Sequence, residues 1–305
     1  DADAPPFPFE PSTVDLSTLS FEDVPDATLD CGDIEIDTAD TVSVTRWGGV
    51  APTPTIATQL GGPEVVVFAL RSLTVGSGTQ IRLTGPRPVA FIVAGDVDIQ
   101  GTIDVGAHGL VPGAGGDLQQ FCPSNLANAQ GGQFGDLPGD LLGSIVPLRG
   151  GCAGMPVASS STADSGGGAG GGALQISASG ALVVSDTGII SAGGGGGTRK
   201  GQSSVAGPGN GGGSGGAVLL EATSISVLGA VRVHGGGGSG GGTMCVSAPT
   251  TPPRSGEDGH VADDLPAAGG VGQEVMGSCA GTGGTGGQGG RLCLGASCAE
   301  QDPSP

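Results

Sequence analysis

Apolar residues fall at every second position in a set of short stretches, and the stretches recur five times in the same order. Each repeat reads as an alternating strand, a short turn, a second alternating strand, a glycine-rich excursion of variable length, and a third apolar strand ending near Ala. The first strands are DIEID (33–37), RSLTV (71–75), DVDIQ (96–100), GALVV (180–184) and SISV (224–227). The second are TVSVT (41–45), QIRLT (80–84), TIDV (102–105), GIISA (188–192) and AVRV (230–233). The third are EVVVFA (64–69), VAFIVA (89–94), ALQISA (173–178), AVLLEA (217–222) and RLCLGA (291–296). Alternation marks a strand with one buried face. Three strands per repeat, with the period set by loop length, predict an all-β right-handed parallel β-helix of about five three-strand turns.

Alternation also assigns the side chains that point inward. On the first face these are Ile34 and Ile36, Leu73 and Val75, Val97 and Ile99, Leu182 and Val184, and Ile225 and Val227. On the second they are Val42 and Val44, Ile81 and Leu83, Ile103 and Val105, Ile190 and Ala192, and Val231 and Val233. On the third, Ile92, Ile176, Leu220 and Leu294 align, each two residues before an inward Ala (Ala94, Ala178, Ala222, Ala296). The outward positions Val65, Val67, Phe91, Val93 and Leu219 are apolar, so the third face needs a cover. Gly76, Gly101 and Gly229 follow first strands, where a tight corner through positive φ is expected.

The excursions leave from one corner, the long ones at 106–172, 193–216 and 234–290. Their poly-Gly tracts give up maximal backbone freedom on ordering. Close side-by-side packing of extended, polyglycine-II-like segments on one edge would offset that loss; the alternative is mobile spacers on a rigid stem. Residues 1–30 form an acidic arm without Lys or Arg, to serve as a cap or a swapped segment, or to cover the apolar third face. A single domain then covers 31–298, with a tail at 299–305. Both ends of such a stack expose strand edges, which must be blocked or used, for instance in head-to-tail fibres.

Composition sets the class of partner. The formal charge of −19, from 10 Lys plus Arg against 29 Asp plus Glu, disfavours nucleic acid and anionic membrane surfaces. No apolar run is long enough to span a bilayer. The chain has 66 Gly, 22 Pro, no Tyr and 1 Trp, a composition near low complexity, but the alternating Val, Ile and Leu argue for a folded core. It begins Asp1-Ala2-Asp3 without Met, as after removal of an export signal, and 7 Cys in a chain so poor in Lys point to an oxidising compartment. The expected localisation is secreted or cell-surface. Cys122 with Cys152, and Cys245 with Cys279, each lie within one excursion and are candidate disulfides; Cys293 and Cys298 can pair locally. Cys31 is then left at the opposite end, roughly 19 Å from the last strand, as a free or intermolecular thiol.

Chemical motifs are sparse. Two GGSGG segments, at 212–216 and 237–241, spell a nucleophile elbow without a strand-to-helix setting, and G-x-G-x-x-G arises in poly-Gly by chance. His108, His234 and His260 are scattered and read as solvated loop residues, as does the acidic segment GEDGHVADD (256–264). The outward carboxylates Asp96, Asp98 and Asp104 are candidate calcium ligands or paired acids. A polysaccharide groove, however, needs aromatic rings for stacking, and the chain has only Trp47 and 7 Phe. No other cofactor is implied.

The segments VAGDVDIQGTIDVGAHG and AVLLEATSISVLGAVRVHGGGG, each running into or towards poly-Gly, resemble the glycine-rich repeats of secreted and cell-surface bacterial parallel β-helix proteins, over about 64–296. The glycine clusters are also similar in composition to the polyglycine bundles of receptor glycine-rich domains and of some phage fibre-tip adhesins. The resemblance implies an extracellular structural or adhesive scaffold, one that self-assembles or meets a cell-surface or polysaccharide partner. A carbohydrate-active lyase or hydrolase, or an ice- or surface-binding module, is the alternative on the same stem.

Overall fold

The computed structural model describes residues 7–30, 32–122, 130–133, 145–156, 166–198, 209–241, 254–259, 265, 267–270 and 287, and the backbone of strands 291–294 and 297–300. Its strands form two sheets. The larger holds β1 (Asp26–Leu29), β4 (Thr55–Ala57), β5 (Val65–Leu70), β6 (Ser72–Val75), β8 (Val89–Val93), β9 (Val97–Ile99), β11 (Ala173–Val184), β13 (Ala217–Val227), β15 (Arg291–Leu294) and β16 (Ser297–Glu300). The smaller holds β2 (Asp33–Asp37), β3 (Ser43–Thr45), β7 (Gln80–Thr84), β10 (Thr102–Asp104), β12 (Ile189–Ser191) and β14 (Ala230–Arg232). A 3-10 turn at Leu16–Thr18 is the one helical element among the described residues, and no helix there is long and apolar enough to cross a membrane.

The regular three-faced right-handed parallel β-helix does not form. Two mixed sheets replace it, one curled into a half-barrel. The expected third and first faces merge, because β11 and β13 run 12 and 11 residues through the position where a corner was expected, with only a register shift between Ala178 and Ala181. Three pairs are antiparallel: β2 with β3, β4 with β5, and β15 with β16. The segment TVSVT folds back on DIEID instead of stacking over QIRLT, and DIEID itself lies against QIRLT, with Ile34 opposite Ile81 and Ile36 opposite Leu83. The strand that stacks on RSLTV is DATL, inside the arm. With Ala27 and Leu29 as its only apolar residues among acids, it carries almost no periodic signal.

Aliphatic side chains nevertheless stack like on like across the parallel pairs. Ala27, Leu73, Val97, Leu182 and Ile225 are successive partners, as are Ile34, Ile81, Ile103, Ile190 and Val231. Phe68, Phe91, Ile176 and Leu220 form a third column, topped by Trp47, whose ring stacks on Phe68 at 6.3 Å. Each such side chain contributes about 1.5–3 kcal/mol of burial. Ile92, expected inward, points outward, and Phe91 and Val93 point in. Every residue of β8 is buried, so alternation has no polar side to set its phase.

The outward apolar patch is covered. Phe7, Val14 and Leu16 of the arm pack on Val65, Val67, Ala90 and Ile92, while Ile145 and Leu148 pack on Ala173, Ala217 and Leu219. Gly76, Gly101 and Gly229 are not in the positive-φ region. Close approach explains them instead: a Cβ on Gly101 would sit 2.5 Å from the Gly76 carbonyl oxygen.

Candidate functional site

The long excursions leave from the ends of β10, β12 and β14 and meet in a buried glycine lattice. Its centre is segment 209–216. The N–H groups of Gly211 and Ser214 donate to the carbonyls of Met155 and Cys152, at 3.1 and 2.9 Å. Those of Gly213 and Gly216 donate to Gly195 and Ala192, at 2.8 and 2.7 Å. The carbonyls of Gly211 and Ser214 accept from Gly168 and Gly171, both at 2.9 Å, while Gly212 accepts from Gly132 and Gly213 from Gly236. The first three directions recur every third residue, the period of an extended polyproline-II-type chain and not the period of two in a strand. Five segments thus bond to the central one, and Gly287 packs against the Gly213 carbonyl as a sixth neighbour.

The same rule holds further out. Gly194 and Gly197 donate to His234 and Gly237, Gly237 and Gly240 to Glu257 and Arg254, and Gly256 and Gly259 to Gly197 and Gly194. Neighbouring segments run both parallel and antiparallel, which a chain without side chains tolerates. At Gly213, Gly216 and Gly212 an added Cβ would overlap a facing carbonyl oxygen, so glycine is required there by close approach.

Asp117 ties together two lattice segments of the first long excursion, 151–153 and 170. Its own φ is 57°, its N–H donates to Gly151 O at 2.9 Å, and its carboxylate accepts from Gly170 N–H at 2.8 Å. Burial pushes its carboxyl up to about 6, against the opposing bonds from the Gly170 and Ala153 N–H groups. The proton is therefore held more tightly in the folded state, so this contribution to stability is complete below the unfolded value near 4 and lost as pH rises through about 6. Asp117→Asn keeps an acceptor and suits a left-handed backbone. It is expected to raise stability at pH 7.5 by roughly 2–3 kcal/mol, with little gain at pH 4, in urea titrations at the two pH values.

The three candidate carboxylates do not come together. Asp98 lies on β9 of the larger sheet, where it accepts from Gln100 Nε2 (2.7 Å) and Ser185 Oγ (3.0 Å). Asp96 accepts from the Ala181 N–H at 2.8 Å. Asp104 is on β10 of the smaller sheet and fully buried; it accepts from Arg82 Nη1 (2.6 Å), His108 Nε2 (2.8 Å) and the Gly106 N–H (2.9 Å). Burial alone would raise its carboxyl, but the His108 bond, the Arg82 charge and the Gly106 N–H outweigh it and hold the group below the usual range. That contribution to stability is present above the unfolded value and fades as pH falls through the folded one.

His108 is an exposed loop residue, as the sequence suggests, but the 108–111 turn also brings its ring onto Asp104, a contact that the four-residue spacing signals. Next in register to Asp104 stands Ser191, whose buried hydroxyl has no hydrogen-bond partner among the described residues. No group of three or more His, Cys, Asp or Glu suited to a metal occurs among the described residues. With Asp98 and Asp104 on different sheets, and Asp104 buried and bonded to Arg82 and His108, the paired-acid arrangement is not assembled by these residues.

The arm is fastened by polar as well as apolar contacts. Ser12 donates from its N–H and hydroxyl to Glu221, which also accepts from Gln175 Nε2 (2.9 Å) and Ser177 Oγ (2.8 Å); Thr13 Oγ1 donates to Gln175. An open cleft runs beside the arm, bounded by Thr58, Leu60, Ala94 and Pro147.

Cys122 and Cys152 form a disulfide with Cα atoms 5.6 Å apart, joining two parts of the first long excursion. Cys293 and Cys298 stand opposite one another across β15 and β16. Cys31, Cys245, Cys279 and His260 lie outside the described residues, as do residues 301–305 of the tail.

No protein-family model, curated protein or solved structure matches the chain. Its function is read from its own geometry.

Proposed function

We propose that the chain is an extracellular structural or adhesive scaffold, in which the stacked sheets form a stem and the glycine lattice is a rigid platform for the loops it holds. The observation that carries this reading is the three-residue hydrogen-bond period around segment 209–216, which fixes long glycine tracts in one buried block. A block built of backbone has little side-chain freedom to lose, so it can hold loops in place at low entropic cost. The Cys122–Cys152 disulfide supports an oxidising location. The arrangement of Asp96, Asp98 and Asp104, each engaged within the fold, favours the scaffold over a polysaccharide lyase or hydrolase.

The test is incubation of the full chain with a panel of acidic and neutral cell-surface polysaccharides, scoring co-sedimentation and the release of new reducing or unsaturated ends. The scaffold reading expects retention on at least one polymer without product release. Turnover that is lost in Asp104→Asn or Asp98→Ala, with the fold retained, would establish the enzyme instead.

A further inference from the structure

The two ends of the stacked sheets are finished differently. At the first end, β1 closes the larger sheet, β3 folds back over β2, and Trp47 plugs the core column above Phe68. The elements of that end carry acidic residues: Asp26 on β1, Asp33, Glu35 and Asp37 on β2, and Asp40 in the turn that follows. At the last end β15 and the antiparallel β16 cover residues 217–220 of β13, but beyond them no such finish is seen among the described residues. Residues 224–227 of β13 and 230–232 of β14 have strand partners on one side only among the described residues. The columns show what is missing: Ile99 and Val184 are fully buried, yet their partner Val227 is 37 % exposed, and the following Leu228 is 69 % exposed. Ile225 and Val231 are only partly buried, where Leu182 and Ile190 beneath them are buried completely.

Open strand edges are normally blunted by a charge or a proline. Residues 222–231 contain neither, in a chain whose net charge is −19, and the one charged residue of the edge, Arg232 at the end of β14, is buried. We propose that this end is a self-association surface, which joins two copies of the chain back to back in a closed dimer. A second copy is the occupant that the charges favour, because two uncharged edges can approach without the repulsion that acidic surfaces on each chain would impose. Around a two-fold axis, residues 224–227 meet their own counterparts as antiparallel strands, and Ile225, Val227, Leu228 and Val231 are buried against the same residues of the other copy. Head-to-tail growth is disfavoured, since the first end offers a plugged and acidic face. The dimer goes beyond the scaffold reading and does not depend on it, because an enzyme on the same stem would pair in the same way.

Sedimentation equilibrium on the full chain tests this without reference to any polysaccharide. A mass of two chains is expected, with association strengthened as ionic strength rises and screens the net charge. Ser226→Lys with Leu228→Lys, both at exposed positions, is expected to weaken the dimer roughly a hundredfold while circular dichroism and melting stay unchanged. Hydrogen exchange of the wild-type chain gives a readout free of substitution: the amides of 224–227 should gain protection as concentration rises. A monomer at all accessible concentrations, a dimer indifferent to both lysines, or an open-ended polymer would overturn the proposal.

Discussion

Gly213→Ala is expected to destabilise the protein by about 3 kcal/mol or more, an unusually large cost for one added methyl group. The new Cβ would overlap the Ala169 carbonyl, and the central segment cannot shift to relieve it without breaking bonds to the segments at 132, 152–155, 168–171, 192–195 and 236. Gly269→Ala is the control, since nothing among the described residues lies closer than 3.6 Å to a Cβ there and no positive φ is involved. It should fall within about 0.5 kcal/mol of wild type. The comparison turns on a sign. Were the glycine tracts mobile spacers, alanine would restrict the unfolded chain and leave stability unchanged or raised by roughly 0.4–1 kcal/mol at both positions. Chemical denaturation of the two variants therefore separates lattice from spacer, and a neutral Gly213→Ala would remove the platform on which the scaffold reading rests.

How far the sequence carries depends on whether a strand has a polar side. Leu73, Val97, Leu182 and Ile225 alternate with outward residues such as Asp98 and Ser226 and were legible as one column, but Ala27, its first member, was not, and Ile34 stood in its place. On β8, where Ala90 and Ile92 face the arm and Phe91 and Val93 face the core, both faces are apolar and the phase was lost by one residue. Local pattern also cannot tell a strand that continues the stack from one that folds back. Ser43–Thr45 alternates as well as Gln80–Thr84 does, but the reversal at Thr38–Val42 leaves it antiparallel. The two-sheet arrangement has the same origin, because corners are set by the path of whole strands such as β11 and leave no mark on alternation. The Asp104–His108–Arg82 cluster needed both register and a returning loop, and alternation shows only that Asp104 points outward.

The neighbours Val97 and Asp98 give the second large effect. Val97→Asp is expected to prevent folding, whereas Asp98→Ala should cost about 1 kcal/mol. Val97 is 1 % exposed, with Leu73 and Leu182 as its partners on either side. A carboxylate there would have no donor to satisfy it, and an unpaired buried charge costs on the order of 5 kcal/mol or more, comparable with the whole stability of many domains. Asp98, one residue along, faces the other way and is half-buried; truncating it removes bonds to Gln100 and Ser185 that water can replace in part. Expression in soluble form, followed by circular dichroism and thermal melting, checks both. If Val97→Asp folded with a normal melt, the stacked interior columns would be wrong, and if Asp98→Ala abolished cleavage of a polysaccharide by a protein still folded, the scaffold reading would give way to the enzyme.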